Sequence, residues 1–169
     1  NNNFTGGFQA RNDYGTTIDG AVTVDLDNAS FIGRNYNGGL FTGGGLVTGG
    51  NYGEERPAGV VTVKNGIRIT LNNTVFENPA NHSLTHVLGV RVEGGSVIVQ
   101  NGVDCTLNNV QFLGLEDLDP EYPIQNPGEV IPHDKLVGGG VDENASGKAE
   151  IRGTVSVTVT GSSLKLFYG

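Results

Sequence analysis

The 169-residue sequence has no methionine, no tryptophan and a single cysteine. One cysteine excludes an intrachain disulfide framework, so burial and hydrogen bonding must hold the fold. Positive charge is scarce: 10 Lys and Arg stand against 18 Asp and Glu, a net charge of −8. The few cations are scattered, which excludes the clustered basic surface that binds nucleic-acid phosphates or anionic lipid. No apolar run approaches the ~20 residues that a membrane-spanning helix needs. The missing initiator methionine and the lack of a visible signal peptide read as a processed precursor or an excerpt of a longer chain.

What is abundant points to strands. Glycine contributes 28 residues, and charged residues make up only 17%. Asn, Thr and Ser supply the remaining polar surface, while Val, Ile and Thr supply side chains that suit half-buried, pleated strands. The length fits one domain over 1–169. Asn-x-Ser/Thr sequons stand at Asn3, Asn28, Asn72, Asn81 and Asn144. A chain so rich in these residues carries several by chance; in a glycosylating host they are candidate acceptors on an extracellular or cell-surface protein.

The chain repeats itself. Val61–Phe76 (VTVKNGIRITLNNTVF) and Val97–Phe112 (VIVQNGVDCTLNNVQF) share Val61, Val63, Asn65, Gly66, Thr70, Leu71, Asn72, Asn73 and Phe76 at equivalent places. Fainter copies run from Thr16 to Phe31 and from Ala149 to Leu164, so the repeat cores are 16–31, 61–76, 97–112 and 149–164. Within a unit, apolar residues alternate with polar ones at a period of two, the mark of strands with one buried face. Asn65-Gly66 predicts a tight turn, and Asn72-Asn73 ends the second strand. Gly-rich pieces follow, at Leu40–Gly50, His86–Gly95 and Leu136–Gly140. No unit can bury its own apolar row, but stacked units can. The expected fold is therefore all-β, a β-solenoid (parallel β-helix) of about four imperfect coils, with a β-sandwich as the alternative. Asn73 and Asn109, with Asn28, should stack at one corner and hydrogen-bond along the pile, and Gly161 should end that ladder.

Short Val-x-Val pairs, Asn at a recurring corner and a Phe after it resemble the right-handed parallel β-helices of the pectin-lyase-like type. The GGG segments are similar to repeats in bacterial autotransporter passengers and other prokaryotic surface adhesins. Departures are the varying unit lengths and an insertion over 113–135. The resemblance implies that polysaccharide lyases and hydrolases share the fold, yet the Asn-x-Asp, Asp-Asp, Gly-His-Gly and Arg-x-Lys constellation of pectin hydrolases is missing.

Candidate sites each have a plain reading beside the sharp one. Glu116, Asp117, Asp119 and Glu121 could hold Ca²⁺ through hard oxygen ligands, or form a solvated acidic loop beside Pro120, Pro123 and Pro127. Asp142-Glu143-Asn144 is a second calcium candidate, and no other cofactor is expected. Cys105 aligns with inward positions and reads as a small hydrophobe, or as a thiol for an intermolecular disulfide. His82, His86 and His133 fall in variable stretches without metal-ligand spacing. The outward positions, Asp25, Thr70, Thr106, Thr158 and Thr23, Arg68, Asp104, Ser156, do not supply the two facing carboxylates of a glycosidase, so no catalytic residue is assigned.

Function then follows from architecture. A stack of about four coils is only ~20 Å tall at ~4.8 Å per coil, and its ends expose apolar rows. Asn3–Gly7 and Leu166–Gly169 read as complementary halves of one element. These features point to a self-assembling filament, sheath or surface-layer-like subunit. The alternative is a cell-surface adhesin or carbohydrate-binding module using Tyr14, Tyr36, Tyr52, Tyr122 and Tyr168; a polysaccharide-acting enzyme comes third.

Overall fold

The computed structural model describes residues 4–11, 15–32, 41–48, 59–78, 84–114, 135–138, 148–164 and 166–168. These residues form β-strands joined by corners, without helix. The first coil carries β1 (Phe4–Thr5), β2 (Phe8–Arg11), β3 (Thr16–Ile18), β4 (Val22–Asp27) and β5 (Ser30–Ile32). The second carries β6 (Phe41–Thr42), β7 (Gly45–Thr48), β8 (Val60–Val63), β9 (Ile67–Asn72) and β10 (Val75–Glu77). The third carries β11 (Thr85–Val87), β12 (Val90–Val92), β13 (Ser96–Gln100), β14 (Val103–Asn108) and β15 (Gln111–Leu113). The fourth has β16 (Lys135–Val137), β17 (Lys148–Arg152) and β18 (Val155–Thr160), and β19 (Leu166–Tyr168) opens a fifth level.

Each strand pairs with its counterpart one coil away, and every pairing between strands is parallel. The sheets run β1-β6-β11-β16-β19, β2-β7-β12, β3-β8-β13-β17, β4-β9-β14-β18 and β5-β10-β15. The fold is a parallel β-solenoid, which sets aside the sandwich, an architecture of antiparallel sheets.

Parallel in-register stacking places like on like. Val22, Ile67, Val103 and Val155 form one inward column, and Leu26, Leu71, Leu107 and Val159 another. In the middle coils these side chains are closed off from water: Ile69, Leu71, Cys105 and Leu107 are all fully buried. Full burial of one such aliphatic side chain contributes roughly 1.5–3 kcal/mol, and the columns repeat it at every level. The Phe column is equally ordered. Phe76 lies between Phe31 and Phe112, with ring centroids 5.2 and 4.9 Å away and near-parallel planes.

Left-handed backbone recurs at two corners from coil to coil, and Gly95 adds it between β12 and β13 at φ 79°. Asn28, Asn73 and Asn109 end the strands β4, β9 and β14 with φ of 54°, 49° and 53°, and Gly161 does so after β18 at 60°. Gly66, Gly102 and Gly153 turn the chain between the two long sheets with φ of 74°, 79° and 112°. Asn101 shares this left-handed conformation at φ 64°. Its amide Nδ2 donates to the Lys64 carbonyl one coil away at 2.9 Å, and the Asn65 amide likewise donates to the Asp19 carbonyl.

The Gly-rich pieces solve a different problem. Between β6 and β7 the backbone lies directly against the side chains of β9. A Cβ on Gly44 would meet the Gly89 carbonyl oxygen at 2.6 Å and Ile67 Cγ2 at 2.9 Å. Gly43 and Gly44 meanwhile donate backbone hydrogen bonds to Val87 and Leu88 of the next coil, at 2.8 and 2.9 Å. Glycine is required there because two coils and an opposing apolar column converge on one place.

Two expectations need correction. Asn3–Gly7 and Leu166–Gly169 are not halves of one element: β1 and β19 are equivalent strands at opposite ends of one sheet. His86 does not sit in a variable stretch; it is 2% exposed in the core, on the column of Leu136. The insertion's residues 115–134 lie outside the described residues.

Replacing Gly44 with Ala should lower stability by about 2–4 kcal/mol, the range for overpacking and backbone displacement in a closed core. A Cβ at Gly20 meets nothing within 4 Å, so Gly20→Ala should stay within about 0.5 kcal/mol of the parent. Urea denaturation followed by far-UV circular dichroism measures both.

Candidate functional site

The most extensive outward surface shared by all four coils is the face of β4, β9, β14 and β18. Six-residue strands alternate strictly, so each contributes three outward side chains. Register assembles these into columns: Thr23, Arg68, Asp104, Ser156; then Asp25, Thr70, Thr106, Thr158; then Asp27, Asn72, Asn108, Thr160. The corner column follows, with Asn28, Asn73, Asn109 and Gly161.

Side chains bond along these columns. Asn108 Nδ2 donates to Asn72 Oδ1 at 2.8 Å, and Asn109 Nδ2 donates to Asn73 Oδ1 at 2.9 Å. The Asn73 amide continues downward at 3.0 Å, but onto Asp27 Oδ1 rather than Asn28. The corner ladder thus crosses columns at the first coil and ends in a carboxylate. At the other end Gly161 supplies no amide. Ser156 Oγ donates to Asp104 Oδ1 at 2.6 Å, so hydroxyl-on-carboxylate is a second interlayer bond on this face. The Asn72/Asn108 ladder escapes notice when only the corner is considered; the recurring Asn-Asn pair carries it, since alternation turns the first Asn outward.

The acids of this face do not stack on one another. Asp104 stands between Arg68 and Ser156 in its column, and Asp25 is followed by threonines. Asp27 is exposed and also accepts the Asn73 amide. Among the described residues no three His, Cys, Asp or Glu side chains group to hold a metal ion. The calcium candidates Glu116, Asp117, Asp119 and Glu121, and Asp142-Glu143-Asn144, lie outside the described residues, as do His82, His133, Tyr14, Tyr36, Tyr52 and Tyr122. The described part of the Tyr168 position is its backbone in β19.

Of the sequons, Asn28 is exposed at the corner of the first coil. Asn72 is tied into the amide ladder, and its Thr74 is buried with its hydroxyl donating to the Asn72 carbonyl at 3.1 Å. Asn3, Asn81 and Asn144 lie outside the described residues.

Two buried polar groups belong to the core. His86 Nδ1 accepts the Phe41 backbone N–H at 3.3 Å, and its ring lies 4.7 Å from Phe76 and 5.6 Å from Phe112. Cys105 occupies the column of Val24, Ile69 and Val157 and is fully buried. Burial, aided by the Asp104 carboxylate, pushes its thiol from about 9 up to about 12.

Comparison with protein-family models, with curated proteins and with solved structures finds no match to this chain. Among the described residues no helix is long and apolar enough to cross a membrane.

Two predictions arise here. Asn109→Ala removes an interlayer bond and replaces a residue that tolerates left-handed backbone with one that does so less well, which should cost about 2–3 kcal/mol; Asn109→Gly removes the bond but relieves the backbone and should cost about 1 kcal/mol. Equal losses in urea denaturation would show that the amide bond carries the whole effect. For Cys105, the native thiol should resist alkylation until the chain unfolds. The folded state keeps its proton over a range where the unfolded thiol loses it. Its contribution is therefore full below pH 9 and declines between about pH 9 and about pH 12, by about 1.4 kcal/mol per unit. A stability profile across that range, compared with Cys105→Val, isolates the term.

Proposed function

We propose that this chain is an extracellular structural subunit that assembles end to end into a filament, sheath or surface layer through its open solenoid faces. One observation carries the reading: the same apolar columns that are sealed in the middle coils are open in the last one. Val103 and Leu107 are 1% and 0% exposed, whereas Val155 and Val159, one level on, are 41% and 42% exposed. At the other end Phe4 is 38% exposed, against 1% for Phe41 above it. Apolar columns and strand edges of this sort favour another coil. A contact between two different faces repeats without limit unless a rotation closes it into a ring.

The alternative is a surface adhesin or carbohydrate-binding module. It draws on the outward rows of Thr, Asn and Asp, which offer hydroxyl, amide and carboxylate groups to a glycan. Catalysis forms no part of either reading.

Sedimentation velocity of the purified chain over a range of concentrations tests the assembly. It should form concentration-dependent polymers, seen as fibres or sheets by negative stain. Val155→Lys with Val159→Lys should yield monomers with unchanged far-UV circular dichroism. A parent chain that stays monomeric at high concentration would falsify the subunit reading, and glycan-array binding by that monomer would favour the module.

A further inference from the structure

The corner between the two long sheets carries the same dipeptide in successive coils, Asn65-Gly66 and Asn101-Gly102, in direct register. The fold demands both residue types. A Cβ on Gly66, at φ 74°, would meet the Asn101 carbonyl oxygen at 2.9 Å. One on Gly102, at φ 79°, would meet the Thr154 carbonyl oxygen at 2.1 Å. Each Asn amide in turn donates to a backbone carbonyl of the preceding coil, Asn65 to Asp19 and Asn101 to Lys64. Asn followed by Gly is also a self-reactive pair. The glycine nitrogen has no neighbouring side chain to impede its approach to the Asn side-chain carbonyl carbon.

One difference separates the copies. The Gly102 N–H donates to the Arg152 carbonyl at 2.9 Å, whereas the Gly66 N–H has no acceptor among the described residues. Gly66 is buried, and an unpaired buried donor is uncommon in a folded chain. The backbone differs as well: Asn101 is left-handed and Asn65 is not. Both side-chain amides are held by the preceding coil and both asparagines are exposed to water, so neither factor favours one copy. The nucleophilic nitrogen is what distinguishes them. At Gly102 it must give up a backbone hydrogen bond to turn towards its Asn; at Gly66 it gives up none.

We propose that Asn65 is a self-modification site, converted by the folded chain to aspartate and isoaspartate while Asn101 is spared. The Gly66 nitrogen attacks Asn65 Cγ and an N–Cγ bond forms. The Cγ–Nδ2 bond breaks, and Nδ2 leaves as ammonia, carrying the proton that the Gly66 nitrogen loses. Water then opens the cyclic imide. Addition at Cγ restores the ordinary backbone with an aspartate; addition at the main-chain carbonyl leaves an isoaspartate, whose backbone runs through Cβ. Either product replaces the amide donor with a carboxylate. The bond from Asn65 to the Asp19 carbonyl is then lost, and two acceptors face each other at the corner that ties the second coil to the first. The conversion is independent of the assembly reading above.

Peptide mapping by mass spectrometry, after incubating the folded full-length chain in mildly alkaline buffer, tests the site. The tryptic peptide Asn65–Arg68 should gain the mass of an amide-to-acid change and split into separate aspartate and isoaspartate forms. It should do so roughly 3–10-fold faster than the peptide holding Asn101, the factor that one retained backbone hydrogen bond provides. In urea the rates should converge, because unfolding frees both nitrogens. Equal rates in the folded chain, or no conversion at Asn65, overturn the proposal. A bias that persists unchanged in urea also overturns it, since local sequence and not the fold would then set the rates. Asn65→Asp, the ordinary-backbone product, should lower the urea midpoint of the parent, and an unchanged midpoint overturns the loosened corner.

Discussion

Everything in this molecule depends on the parallel, in-register hydrogen bonding between coils. Each backbone group of β9 finds its partner in β4 or β14, and that fixes the spacing along the stack at ~4.8 Å. At such a spacing a residue's nearest neighbours are its own counterparts one coil away. Side chains are thereby selected for what they do against copies of themselves. Apolar columns seal, rings stack face to face, and amides donate in one direction along the stack. Carboxylates repel, which is why Asp25 and Asp27 are followed by Thr and Asn rather than by further acids.

The same rule explains which parts of the fold were legible in the sequence. The two long sheets could be read because their strands span several residues and alternate strictly: Ile67, Ile69 and Leu71 announce their inward face without help. The sheets of β1 and β2 could not. Their strands are as short as two residues, and the corner between them is made by glycine, whose place is set by the approach of Ile67 and Ile69 from across the core. Local sequence carries no trace of that contact. His86 was misread for a related reason, because a polar residue on a column of Phe41 and Leu136 breaks the pattern while keeping its place through one backbone hydrogen bond and two aromatic neighbours. On the outward face, the Asn73–Asn109 step followed from the repeat. Its termination on Asp27 did not, since it needs the side-chain geometry of a single coil.

Some columns keep one residue type through the middle coils and change it in the first or fourth. Asn28, Asn73 and Asn109 give way to Gly161, and the Thr column begins at Asp25. The inward columns change less, since Val155 and Val159 remain apolar despite their exposure, as does the half-buried Val157 between them. A coil meant only to face water gains nothing from three valines on its inner row, because each leaves apolar area in contact with solvent.

Charge then separates the ways in which such surfaces can be covered. Among the described residues, the first coil carries Asp19, Asp25 and Asp27 beside Arg11, whereas the fourth carries the Glu150–Arg152 pair, Lys148, Ser156, Thr158 and Thr160. Two first coils placed face to face would bring carboxylates towards carboxylates and lose the parallel order on which every ladder relies. Two fourth coils would lose that order as well, with hydroxyls against hydroxyls. Only a first coil on a fourth keeps the strands parallel, sets hydroxyls against acids, and leaves each apolar column continuous. In the proposed assembly, closed symmetric dimers would break the stacking rule that builds the coils, and the pairing that keeps that rule is directional.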